Sequence, residues 1–108
     1  MAKEPKHPLV EFGLDRGIKI ACLLSLLERF GSMGRRRLRE MAEELYGVKV
    51  TRTQAFNLVS LLRVYGYVRQ EYVPGKVKPE RVYTITEKGR RLLERLRREM
   101  AKLTKILE

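Results

Sequence analysis

Apolar residues recur at helical spacing along four stretches of this chain and cluster as strands along two shorter ones. The sharpest helical stretch is Thr51–Gly66, TRTQAFNLVSLLRVYG. Ala55, Leu58, Val59 and Leu62 fall there at i, i+3, i+4 and i+7, one stripe of a helix. Thr51 and Gln54 have the capping-box spacing, in which each side chain satisfies a backbone N–H at the helix start. Gly66 is placed to end the helix as a C′ residue. The outer face of the first turns keeps Arg52, Thr53, Phe56, Asn57 and Ser60.

Upstream, DRGIKIACLLSLLERF predicts a helix from an Asp15 N-cap to a stop at Gly31. Its residues are apolar almost all round, so it must be buried on more than one side, and a second subunit would cover the surplus. Gly17 weakens its start with no purpose visible in the sequence. Leu38, Met41, Ala42 and Leu45 predict a shorter helix, from about Arg35 to Tyr46, joined to Thr51 by Gly47–Val50. Beyond Gly66, Tyr67–Val73 and Arg81–Ile85 are rich in β-branched and aromatic residues around a Pro74-Gly75 turn, which predicts a hairpin. Thr86 caps a last helix from Glu87 to about Leu107. Leu93, Leu96, Met100, Leu103 and Leu107 alternate by three and four, a heptad seam. That seam is expected to pack on the first helix, on a second subunit, or on both. Residues 1–14, with Pro5 and Pro8 among charges, are expected to form an N-terminal arm, loose as far as Pro8.

Composition changes the picture through charge. With 108 residues the chain is one domain, and it carries a net +11 with a pI near 10.2. Such a balance selects a polyanionic partner, nucleic acid ahead of an anionic membrane surface. The competing account is a basic surface that is merely solvated. Arg35, Arg36, Arg37 and Arg39 open the second helix, where the helix dipole disfavours cations. Stability does not ask for them there, but phosphate contact would. The rival explanation is a solvated cluster partly neutralised by Glu40, Glu43 and Glu44. The last helix holds eight basic and four acidic residues, so basicity is not confined to one face.

Other chemistry is sparse. The single Cys22 lies in an apolar run and is expected to be a small buried hydrophobe in a reducing compartment. His7 has no second His or Cys beside it, no metal or cofactor site is expected, and no triad spacing or Gly-rich phosphate loop points to an enzyme. With no signal peptide and no apolar run of ~18 residues, a cytoplasmic protein with no membrane partner is expected.

The order helix, helix, short turn, helix, strand, basic loop, strand, long helix is the winged-helix arrangement. The expected fold is therefore mainly α with a small β-hairpin wing: a winged helix-turn-helix over 15–86 and a C-terminal helix over 87–108. From about Ile18 to Leu96 the chain resembles winged helix-turn-helix transcription regulators. The segment LLRVYGYVRQEYVPGKVKPERVYTITEKGRRLLE resembles PadR-family and MarR-family proteins in particular. The turn GSMGRRRL departs from the Gly-His-Gly-Tyr type common in PadR-like proteins.

The resemblance implies double-stranded DNA as partner, with the helix from Thr51 in the major groove. Arg52, Thr53, Phe56, Asn57 and Ser60 would face base edges and phosphates. Lys76, Lys78 and Arg81 of the wing would reach the backbone or the minor groove, and the arginines at 35, 36, 37 and 39 would hold phosphates. A homodimer through the first and last helices is implied as well. The residue chemistry agrees, since Arg pairs bidentately with guanine and Asn with adenine. Phe56 could equally pack on a neighbouring helix, and Gln54 is expected to serve the cap. Two other functions fit the same pattern: a winged-helix protein–protein module in a nucleic-acid-processing assembly, and a sequence-independent chromatin or RNA-binding protein.

Overall fold

The computed structural model describes residues 5–108. In chain order the elements are α1 (Pro8–Phe12), α2 (Leu14–Phe30), α3 (Arg35–Tyr46), α4 (Arg52–Val64), β1 (Val68–Val73), β2 (Glu80–Ile85) and α5 (Glu87–Leu107). The fold is mostly helical, with a two-stranded antiparallel hairpin and a long C-terminal helix.

Helix α2 lies at the centre, with α1, α3, α5 and β2 packed around it. Ile20, Leu23, Leu24, Leu26 and Leu27 are buried by the chain itself. Each such side chain contributes about 1.5–3 kcal/mol by leaving water. Most of the surplus apolar surface that was expected to need a second subunit is therefore covered within one protomer. Ile18 and Phe30, towards the two ends of the helix, stay partly exposed.

The start of α2 differs from its expected form. Gly13, at φ 92°, is the N-cap, and Asp15 sits inside the first turn, where it pairs with Lys19 at 3.0 Å. Part of the expected arm is helical. Pro8 opens α1, a position where a fixed φ and a missing N–H suit a helix start, and Pro8 and Leu9 are buried. Gly17 now has a reason. A Cβ there would stand 2.7 Å from Leu9 Cδ1 and 3.2 Å from the Leu9 carbonyl oxygen, so its hydrogen lets α1 lie against α2. The arm is further tied to α5 by Arg95, which donates to the Pro5 carbonyl at 2.6 Å.

Helix α3 buries Leu38, Met41 and Ala42, whereas Leu45, the fourth residue of its stripe, is exposed in the last turn. Gly47 takes the left-handed conformation at φ 65° and turns the chain towards α4. The capping box of α4 is complete. Gln54 N–H donates to Thr51 Oγ1 at 3.1 Å, and Thr51 N–H donates to Gln54 Oε1 at 3.0 Å. At the far end Gly66 has φ 79°, with Gly66 N–H on the Arg63 carbonyl and Tyr67 N–H on that of Leu62. Those bonds make the expected Gly stop.

Strands β1 and β2 pair from Val68↔Ile85 to Val73↔Glu80. Met33, in the turn before α3, adds one bridge to Tyr83, so the hairpin is attached to the body on that side. Thr86 then caps α5. Its Oγ1 accepts from Gly89 N–H at 3.1 Å and donates towards the Gly66 and Tyr67 carbonyls, at 2.6 and 3.0 Å. One hydroxyl thus joins the end of α4 to the start of α5.

The heptad seam of α5 divides in two. Leu93 and Leu96 are 1% and 0% exposed within the protomer, and Met100 packs against the same core. Leu103 and Leu107 lie beyond it, Leu107 at 87% exposure, together with Ile106. The inner half of the expected dimer seam is spent on this chain's own core.

Candidate nucleic-acid interface

The outer face of α4 is open because its four buried residues, Ala55, Leu58, Val59 and Leu62, all lie on the opposite stripe. Arg52, Thr53, Phe56 and Asn57 are exposed, and Ser60 is half-buried. Across the link from Gly47, α3 directs its first turns to the same side. There a groove of about 470 Å³ is lined by Arg35, Arg36, Arg39, Arg52, Thr53 and Phe56. The Arg35 guanidinium lies over the Phe56 ring, 5.0 Å from its centroid.

The first turn of α3 also faces the wing. A wider gap of about 890 Å³ is bordered by Arg36, Arg37, Tyr72, Lys78 and Arg81, with Glu40 and Glu80 as the carboxylates in it. Arg36 pairs with Glu40 at 3.2 Å, so part of its charge is offset. Among the described residues, Arg37, Arg39, Arg52, Lys76, Lys78 and Arg81 make no ion pair with a carboxylate. The expectation of a cluster neutralised by Glu40, Glu43 and Glu44 holds for Arg36 alone. Unpaired guanidinium groups in open grooves suit oxyanions, to which they donate bidentate hydrogen bonds.

Most of the sequence-selected residues therefore line two joined grooves with Arg35 and Arg36 common to both. Lys76 stands exposed on the wing loop and borders neither groove, and Ser60 lies further along α4. Asn57 opens on the other flank of α4, into a cleft of about 170 Å³ shared with Asp15, Arg16, Lys19 and Gln54. Arg16 and Lys19 escaped the sequence reading because they belong to the start of α2, far from α4 along the chain. Lys19 is engaged by Asp15, while Arg16 is exposed. Tyr72, exposed on β1 beside the α3 arginines, was likewise not selected.

Among the described residues no group of three His, Cys, Asp or Glu side chains could hold a metal ion, and no helix is long and apolar enough to cross a membrane. Cys22 is buried in α2, and that burial pushes its thiol up to about 11.

This architecture is a winged helix-turn-helix. The chain is similar to a transcriptional regulator from Clostridium thermocellum, with a TM-score of 0.76, 22% identity, and coverage of 87% of this chain and 93% of that one. A PadR-family transcriptional regulator from Eggerthella lenta superposes with a TM-score of 0.75 at 22% identity, covering 87% and 81% of the two chains. Bacillus subtilis PadR, solved in complex with operator DNA, matches with a TM-score of 0.61 at 24% identity, covering 71% of this chain and 44% of that one. No protein-family model and no curated protein matches the sequence.

Proposed function

We propose that this protein is a double-stranded-DNA-binding transcription regulator. The observation that carries the reading is the run of cations from α4 across the first turns of α3 to the wing, in which Arg36 alone is paired with a carboxylate among the described residues. In this reading α4 enters the major groove. Arg52 and Asn57 contact base edges, Thr53 and Ser60 contact edges or phosphates, and the arginines of α3 hold the backbone. Lys76, Lys78 and Arg81 follow the backbone or the adjacent minor groove. The likeness to a PadR captured on its operator supports the assignment.

The protein acts as a homodimer in this proposal. The dimer contact is the outer end of the α5 seam, Leu103 and Leu107, with Met100 at its inner edge, because Leu93 and Leu96 are already inside the core. Two copies would read half-sites about 34–36 Å apart or a multiple of that spacing.

The test begins by selecting bound duplexes from a random pool. Arg52→Ala and Asn57→Ala should then each lose about 5- to 150-fold on the selected site, the equivalent of about 1–3 kcal/mol per bidentate pair, and relax preference at one position. Lys78→Ala and Arg81→Ala should weaken binding alike on every sequence and reduce the salt slope by about 0.9 per lost phosphate contact. Full retention of affinity and preference by the Arg52 and Asn57 variants would favour the protein–protein module instead. The basic surface of α5, away from the grooves, favours a second reading as a sequence-independent binder, which predicts no enriched site.

A further inference from the structure

Phe56 is the oddest member of the interface. It is an aromatic side chain at 50% exposure in the middle of a face otherwise made of polar and cationic groups. A half-exposed ring on a reading helix invites the role of a thymine-methyl contact. The geometry argues otherwise, because one face of the ring is already covered by the Arg35 guanidinium at 5.0 Å. Arg35 is the first residue of α3, and Phe56 belongs to the second turn of α4, so the pair spans the two helices of the motif. Arg35 has no carboxylate partner among the described residues, and its neighbours in the groove are the cations Arg36, Arg39 and Arg52.

An arginine in that setting is repelled by its neighbours and would swing into solvent without an attractive surface. The quadrupole of the ring supplies one and spends none of the guanidinium N–H donors on a carboxylate. Holding the side chain also removes rotamer freedom that phosphate binding would otherwise have to remove.

We infer that Phe56 is a positioning residue. It is a shelf that presets Arg35 for one DNA phosphate in the groove between α3 and α4, and it reads no base. The inference rests on the DNA-binding reading and deepens it. Phe56 on this account raises affinity for every duplex equally and leaves sequence preference alone.

The experiment uses the full chain and two mixed-sequence duplexes of equal length and different base content, titrated across a salt series. Phe56→Leu keeps the apolar bulk and removes the ring, and Phe56→Tyr keeps the ring. Phe56→Leu should weaken binding to both duplexes by the same factor, about two- to fivefold, and Phe56→Tyr should restore it. Arg35→Gln should lower the salt slope by about 0.9, and adding Phe56→Leu to it should cost nothing further. A second readout needs no DNA: the Arg35 side-chain proton resonances of the free protein should be shifted by the ring and lose that shift in Phe56→Leu.

Additive losses in the double variant, unequal losses on the two duplexes, or unshifted Arg35 resonances would overturn the inference while leaving DNA binding intact. Failure of the unsubstituted protein to bind either duplex would overturn the DNA reading and this inference with it.

Discussion

Single atoms decide several features of this chain. The start of α5 packs so closely on the chain leaving α4 that a Cβ at Gly89 would overlap the Tyr67 carbonyl oxygen and stand 2.8 Å from Ile85 Cγ1. Gly89→Ala should therefore destabilise the fold by about 1–3 kcal/mol, the usual range for forcing a methyl into a filled site, measurable by urea unfolding. Thr51→Ala removes one arm of the capping box and should cost about 0.5–2 kcal/mol in the same assay. Cys22 gives a pH dependence of definite sign. Its folded pKa of about 11 lies above the ordinary 9.0, so its contribution is complete below pH 9 and is lost as pH rises towards 11. Unfolding curves at pH 8 and pH 10.5 should show a drop in stability that shrinks in Cys22→Ala. At this scale the caps at Thr51, Gln54, Gly66 and Thr86 were legible, because they act on neighbours within a few residues, whereas the N-cap expected at Asp15 fell to Gly13. Gly17 and Gly89 were not, because what excludes a methyl there arrives from another element.

Elements follow the same divide between local and distant causes. The signals that predicted α2, α3, α4 and α5 from apolar spacing, and the hairpin from β-branched and aromatic residues around a turn, are local, and each element formed where its pattern stood. What spacing could not supply was the partner each stripe would meet. The nearly all-apolar α2 found most of its cover in α1, α3, α5 and β2, and of its large apolar residues only Leu14, Ile18 and Phe30 are left exposed. The heptad seam of α5 is one pattern in sequence and two surfaces in space. Leu93→Ala or Leu96→Ala should lower stability by about 2–5 kcal/mol whatever the protein concentration, as a cavity in a core does. Leu107→Ala should leave monomer unfolding unchanged and act, under the proposed assembly, only on the sedimentation mass. Of the candidate site, the basic face of α3 and α4 could be chosen from sequence because both helices belong to one short motif. Arg16 and Lys19 joined it through the packing of α2 on that motif, which no spacing encodes.

For the whole molecule, a net charge of +11 on 108 residues should make any duplex binding strongly salt-dependent, because each neutralised phosphate releases counterion. Basic residues on α5 lie apart from the grooves, so total charge alone overstates the footprint. The number of phosphates counted from the salt slope, compared with the cations of α3, α4 and the wing, would tell how much of that charge takes part. The support given to each element is also uneven. Its helices share one core, but the two-stranded sheet is bridged to the body between Met33 and Tyr83, and outward from there it is a free ribbon. A two-stranded ribbon is marginal in water without further support. Amide protons of Val73 and Glu80, at the last rung, should exchange with solvent far sooner than that of Tyr83, at the root. The wing is then a compliant finger on a rigid knuckle, whose lysine-bearing tip can follow an uneven surface while the helices behind it keep their bearing.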